Sequence, residues 1–219
     1  MSILIADDHP LFRDALSRAV AQALPGVALH QVESVPALLS TVEQLTDLEL
    51  VLLDLTMPGA EGFSALIHLR AHHPTLPVLV VSAREEPALM RRALAHGASG
   101  FVPKSAPASR LGEALHCVLD GERWVPEAVR DDAHVADDEI DLARRVAELT
   151  PQQFRVLGMV THGLLNKQIA YELSVSEATI KAHMTAIMRK LGAHSRTQVA
   201  VLVGRLGLDA AAQDPIAAS

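Results

Sequence analysis

Short apolar runs recur along the first half of the chain, and three of them stop at a charged residue. Ile3-Leu4-Ile5-Ala6 runs into Asp7 and Asp8, Val51-Leu52-Leu53 into Asp54, and Phe101-Val102-Pro103 into Lys104. With the runs at 27–32 and 78–81 they make five, each rich in Val, Ile and Leu, as strands buried on both faces of a parallel sheet require. The intervening segments have helical spacing. Leu11, Ala15, Ala19 and Ala23 are expected to share one face, and Leu111, Ala114, Leu115 and Val118 another. Strand–helix alternation over this length predicts a doubly wound α/β domain with a five-stranded parallel sheet. Ligands on such a sheet sit at the carboxyl ends of the strands, where the three runs end in charge.

Asp7, Asp8, Asp54 and Lys104 are therefore expected to converge on one rim. Carboxylates this close repel unless a cation joins them, and hard oxygen donors suit Mg²⁺. A lysine opposite can hold a phosphate oxygen as a point charge, and an aspartate can itself accept a phosphoryl group as an acyl phosphate. Taken singly, each Asp reads equally well as a helix cap and Lys104 as solvated surface. The joint pattern is the specific one.

The net charge of −7 hides three regimes. Residues 1–125 carry 9 basic and 14 acidic side chains, residues 126–149 carry 3 and 8, and residues 150–219 carry 7 and 4. The middle stretch, with Asp131-Asp132 and Asp137-Asp138-Glu139, reads as an acidic solvated linker with a short helix near 140–149. The single Cys117 excludes a disulfide framework and a cysteine zinc site. The start of the chain has no signal-peptide pattern, and no apolar run approaches the roughly 20 residues that span a bilayer, so a cytoplasmic protein without membrane contact is expected.

Four stretches make the first 120 residues resemble the receiver domain of two-component response regulators, a flavodoxin-like fold. They are residues 5–13 (IADDHPLFR), 53–59 (LDLTMPG), 81–83 (VSA) and 97–104 (GASGFVPK). The resemblance implies that Asp54 accepts the phosphoryl group from a sensor histidine kinase. It implies that Asp8, Asp54 and the Thr56 carbonyl hold Mg²⁺ with Asp7 helping through water, and that Lys104 grips the phosphoryl group. Ser82 matches the hydroxyl that moves toward the phosphate and Phe101 the aromatic switch position; strand-end capping is the alternative for Ser82, and for Phe101 spacing alone favours core packing. Thr56 and Arg84 match the variable positions that tune the phosphoryl lifetime. Gly59 and Gly62 read as turn residues.

The basic end has no strand pattern. Thr150-Pro151-Gln152-Gln153 predicts a capping box opening a helix with Phe154, Val156, Leu157 and Val160 inward, ended by Gly163. A second helix carries Ile169, Ala170 and Leu173, and Ser176 caps a third that runs to Leu191. On the third, Ile180, Met184, Ile187 and Leu191 face the core, while Ala178, Lys181, Ala182, Thr185 and Arg189 face outward. Two short helices joined by a tight turn match a helix-turn-helix, whose second helix reads the major groove. Residues 149–206 resemble the LuxR-type DNA-binding domain, through 149–151 (LTP), 163–170 (GLLNKQIA), 176–183 (SEATIKAH) and 189–192 (RKLG). The resemblance implies Lys181, Ala182 and Thr185 as readers of base edges and Lys167, Ser176, Thr179 and Arg189 as phosphate contacts. A fourth helix from Ser195 carries Val199, Leu202, Val203 and Leu206. The resemblance offers these for dimerisation on inverted half-sites, and core packing is the equal alternative.

The expected organisation is a receiver at 1–122, an acidic linker at 123–148, an all-α four-helix helix-turn-helix domain at 149–208 and a tail at 209–219. The function read from this is a phosphorylation-controlled, homodimeric transcription regulator of the NarL/FixJ type, not a turnover enzyme. Two rivals stand beside it. One is a constitutive DNA-binding protein with a silent receiver. The other is a phosphohydrolase with Asp54 as nucleophile, which needs a second acid two residues on, where the chain has Thr56.

Overall fold

The computed structural model describes residues 1–59, 62–129 and 137–207. The five apolar runs form β1 (Ser2–Ala6), β2 (Ala28–Val32), β3 (Leu48–Leu53), β4 (Val78–Ser82) and β5 (Gly100–Pro103). They build one parallel sheet in the order β2-β1-β3-β4-β5. The connecting helices are α1 (Pro10–Ala23), α2 (Val35–Gln44), α3 (Ser64–His72), α4 (Pro87–Ala95) and α5 (Ala108–Leu119). Alternate side chains of the central strands feed two cores. Ile3, Ile5, Leu50, Leu52, Leu79 and Val81 pack under α1 and α5. Leu4, Ala6, Val51, Leu53, Val80 and Phe101 pack under α2, α3 and α4. The doubly wound α/β expectation holds.

Register places the rim. Ala6 pairs with Val32 on one side and Leu53 on the other, so Asp7 and Asp54 leave the sheet side by side. Ser82 pairs with Pro103, which sets Lys104 beside them.

Helix α1 corrects one expectation. Leu11 is 85% exposed and Ala15 is exposed as well, while Ala19 and Ala23 are half-buried at the edge of the core. Leu16 and Val20 are buried instead, with Phe12 packed against the same core. Both stripes have helical spacing, and the one carrying the larger apolar side chains removes more surface from water. The face expected on α5 is buried as read.

The remaining helices are α6 (Asp137–Ala147), α7 (Pro151–Thr161), α8 (Asn166–Glu172), α9 (Glu177–Leu191) and α10 (Arg196–Gly204). The capping box forms: Gln153 N–H donates to Thr150 Oγ1 at 3.3 Å and Thr150 N–H to Gln153 Oε1 at 3.2 Å. Gly192 closes α9 with φ 68°, a left-handed C-cap that a Cβ would strain.

The acidic segment departs from the expected solvated linker. Its residues 131 and 132 lie outside the described part, as does the tail from 208. Trp124, however, joins the sheet edge: its N–H donates to Ser99 O at 3.0 Å and its carbonyl accepts from Phe101 N–H at 3.3 Å. Helix α6 buries Leu142, Ala143 and Val146 between α3 and α9. The short helix expected near 140–149 forms as α6, but it is amphipathic and supplies core residues rather than standing in solvent. Helix α3 is consequently apolar almost all round, with Ala65, Leu66, Ile67, His68 and Leu69 all buried. One face meets the sheet, and the other meets the helical end of the chain.

His68 sits in that seam. Its ring stacks at 4.2 Å on Phe154 of α7 and at 4.1 Å on His72, and its buried Nδ1 makes no hydrogen bond. Burial pushes its pKa down to about 3, with His72, His73 and Arg155 adding positive potential. The folded chain keeps this imidazole neutral, whereas the unfolded chain protonates it below about 6.5, so stability falls as pH drops from 6.5 toward 3. His68→Phe keeps the stacking and removes the titration. Relative to this variant, wild type loses about 2 kcal/mol of unfolding free energy between pH 7 and pH 5, measured by urea denaturation at both pH values.

Candidate functional site

At the carboxyl rim, Lys104 Nζ lies 2.6 Å from Asp7 Oδ2 and 2.7 Å from Asp54 Oδ2. Both carboxylates are buried, at 1% and 3% exposure, so one ammonium neutralises two desolvated acids. Asp54 also accepts from Thr56 Oγ1 at 2.9 Å and Thr56 N–H at 3.2 Å. Asp7 Oδ1 accepts from His9 N–H at 2.8 Å, and Asp7 O from Arg13 Nη1 at 2.6 Å. Lys104 Nζ stands 4.4 Å from the centroid of the Phe12 ring, which walls one side. Ser82 is fully buried beside the rim, its Oγ accepting from Arg84 N–H at 3.2 Å and its carbonyl from Lys104 N–H at 2.7 Å. Phe101 is fully buried in the core behind it. The structure thus brings together every rim residue expected from the sequence.

The acids fit a divalent cation. Ligand atoms of Asp7, Asp8, His9 and Asp54 all lie within 4.8 Å of one another. Asp8 Oδ1 is buried yet makes no hydrogen bond, lying 2.8 Å from His9 Nδ1 in an unsuitable geometry. An orphaned carboxylate oxygen facing two further carboxylates is the donor set that Mg²⁺ takes. Thr56, exposed at the mouth, offers a hydroxyl where a phosphohydrolase would need a second carboxylic acid.

The second candidate surface lies on α8 and α9. Ile180, Met184, Ile187 and Leu191 are buried, and Ala178, Lys181, Ala182, Thr185 and Arg189 are exposed, as their spacing predicts. Lys181 forms an exposed ion pair with Glu177 at 3.4 Å. Lys167, Ser176 and Thr179 are also exposed, with Ser176 Oγ accepting from Thr179 N–H at 3.1 Å as the N-cap. Ser174 holds φ 52° in the turn between the two helices, which tightens the helix-turn-helix. The residues offered for dimerisation are placed otherwise. Val199, Val203 and Leu206 are buried within this chain and Leu202 is half-buried, because α10 packs on α7 and α9. Core packing, the alternative reading of this stripe, is what the structure displays.

A family model described as the response regulator receiver domain matches residues 3–116, and one described as bacterial regulatory proteins, luxR family, matches residues 147–203. The chain belongs to the response regulators. It couples a receiver to a LuxR-type DNA-binding domain, the build of a transcription regulator. It is 39% identical over 217 residues to the glycerol metabolism activator of Pseudomonas putida, covering 95% of this chain and 97% of that protein. It is 31% identical to the nitrate/nitrite response regulator NarL of Escherichia coli K12, over 92% and 94% of the two chains. Among solved structures it resembles an RcsB–DNA complex, at 26% identity and TM-score 0.54 over 93% and 97% of the chains. RcsB of Salmonella typhimurium, described for its conformational dynamism in DNA interaction, matches with TM-score 0.54 at 25% identity over 92% and 96%. Among the described residues, no helix of this response regulator is long and apolar enough to cross a membrane.

Sequence reading missed Arg92, His96 and Glu139, which join the two halves. The legible signal was the run of apolar residues on every face of α3, more than a helix lying on one sheet needs. For the helix-turn-helix itself, Ser176→Ala removes the α9 cap and lowers unfolding free energy by about 1 kcal/mol, checked by chemical denaturation.

Proposed function

We propose that this response regulator is phosphorylated on Asp54 by a sensor histidine kinase and then acts as a dimeric, sequence-specific DNA-binding regulator in the cytoplasm. The observation that carries the reading is Lys104 bridging Asp7 and Asp54 next to an orphaned Asp8 oxygen. Mg²⁺ held by Asp7, Asp8, Asp54 and the Thr56 carbonyl would neutralise charge on the transferring group. An Asp54 oxygen attacks phosphorus, the bond from phosphorus to the kinase imidazole breaks, and an acyl phosphate forms as the imidazole leaves. Lys104 then exchanges a carboxylate for a phosphoryl oxygen, and the Ser82 hydroxyl turns from Arg84 N–H toward the new acceptors. Water hydrolyses the acyl phosphate slowly, with Thr56 and Arg84 at its mouth setting access. We place the functional division at 1–122, 123–148 and 149–208, with 209–219 as a tail.

On DNA, Lys181, Ala182 and Thr185 would meet base edges of one half-site, and Lys167, Ser176, Thr179 and Arg189 its phosphates. Inverted half-sites about one helical turn apart suit a two-fold dimer.

Asp54→Asn is expected to abolish incorporation of label from radioactive acetyl phosphate with Mg²⁺ present, and with it any gain in DNA affinity. Equal labelling of the variant sinks the assignment of Asp54. Arg189→Ala should weaken binding to all duplexes alike and lower the slope of log K against log salt by about 1. Lys181→Ala should cost about 1–3 kcal/mol on the preferred sequence and relax choice at one base pair, both read by fluorescence anisotropy.

A further inference from the structure

Helix α1 starts beside the acid rim, and the side chain at its N-cap does not cap. N-caps are mostly Ser, Thr, Asp or Asn, whose short side chains accept from the first turn. Position 9 holds a histidine instead, and its ring makes no hydrogen bond to the helix. The imidazole turns back toward the acids. His9 Nδ1 lies 2.8 Å from Asp8 Oδ1 and 3.6 Å from Asp7 Oδ1. The backbone fixes this turn. His9 N–H donates to Asp7 Oδ1 at 2.8 Å, and the His9 carbonyl accepts from Arg13 N–H at 2.9 Å.

His9 Nδ1 and Asp8 Oδ1 approach this closely without sharing a hydrogen bond, and the Asp8 oxygen is buried with no donor. Lys104 does not serve it, because its ammonium lies on Asp7 Oδ2 and Asp54 Oδ2. A cation shared by nitrogen and oxygen resolves the contact. In an octahedral shell with arms of about 2.1 Å, neighbouring ligand atoms stand about 3.0 Å apart. The two His9 spacings, 2.8 and 3.6 Å, bracket that value, and the ligand atoms of Asp7, Asp8, His9 and Asp54 all lie within 4.8 Å of one another. An imidazole that coordinates through Nδ1 keeps its proton on Nε2. The His9 side chain is 65% exposed, so water can accept that proton's hydrogen bond.

We propose that His9 is a further ligand of the metal site, adding one nitrogen to its carboxylates and setting which ion the site takes. Mg²⁺ binds oxygen and gives up its water reluctantly, so an imidazole adds little to its hold. First-row transition ions accept imidazole and carboxylate together. The site therefore favours Mn²⁺ or Fe²⁺ over Mg²⁺ by more than its carboxylates alone provide. Phosphorylation of Asp54 then follows the supply of those ions as well as the kinase. The proposal rests on the reading of the acid rim as a metal site, and it names the class of ion for that site.

The test uses the full chain with Mn²⁺ as the probe and no phosphate donor. His9→Ala removes no cap hydrogen bond, because the ring makes none. His9→Asn places a favoured N-cap residue there and so protects α1, and circular dichroism checks that both variants keep their helices. Electron spin-echo spectroscopy reads the nuclei bonded to Mn²⁺. Wild type should show a nitrogen coupling that changes when its histidines carry ¹⁵N, and both variants should lose it. Titration followed by the signal of free Mn²⁺ gives affinity, with Mg²⁺ scored by competition. His9→Ala should bind Mn²⁺ about tenfold more weakly, and its Mg²⁺ affinity should change far less. Bound Mn²⁺ without nitrogen coupling in wild type, or coupling that survives in both variants, overturns His9 as a ligand. Equal losses of Mn²⁺ and Mg²⁺ affinity overturn the preference between ions. Asp8→Ala decides the rim itself. If it binds Mn²⁺ as tightly as wild type, the ion is held elsewhere, and the metal reading of the rim falls whatever the nitrogen coupling shows.

Discussion

Lys104 bridging two buried carboxylates sets the terms for the rim. A lone buried carboxylate is costly, and two adjacent ones are worse, so Asp7 and Asp54 coexist only because a cation lies 2.6 and 2.7 Å away. That cation hangs from β5, one residue beyond Pro103, and the acids hang from β1 and β3. The bridge is therefore possible only with β3 between β1 and β4 and with Ser82 paired to Pro103. Strand order, register and charge balance are one constraint expressed three ways. The same balance makes the site responsive, because a group bringing about −1.5 to −2 charges at pH 7 must redistribute Lys104 and its neighbours.

Much of this was legible in the residues. Short runs of Val, Ile and Leu ending in acids announced parallel strands with a shared rim, since polar groups at strand ends survive only where solvent or a ligand meets them. The capping box at Thr150 and Gln153 was equally readable, because its chemistry is local and needs nothing from the rest of the fold. The face of α1 was not. Leu11 with Ala15 and Phe12 with Leu16 and Val20 have the same period, and only the sheet surface decides between them, with Ala19 and Ala23 at the edge of the buried face.

The linker was misread for a related reason. Acids at 131–132 and 137–139 advertise solvent, yet Leu142, Ala143 and Val146 make a narrow stripe that finds a home on α3. Composition averages over a helix, whereas burial acts on one face of it. Long-range pairs such as Arg92 with Glu139, separated by 47 residues, leave no trace in local pattern at all. What the sequence does carry is the surplus on α3, whose second apolar face has no use in an isolated receiver.

That surplus explains why one hydrophobic core runs through both halves of the chain. Leu66 and Leu69 belong to the sheet side of α3, and His68 to the seam, where an imidazole is held neutral by burial. An all-apolar residue at 68 would bind the halves more tightly and remove that cost. The seam adds a buried neutral histidine, a backbone contact between Gly158 and Gly59 and the Arg92–Glu139 ion pair to this shared apolar core. Small movements of the loop after Asp54 displace Gly59 and Phe63 together, and a contact that admits no Cβ cannot adjust by changing rotamers.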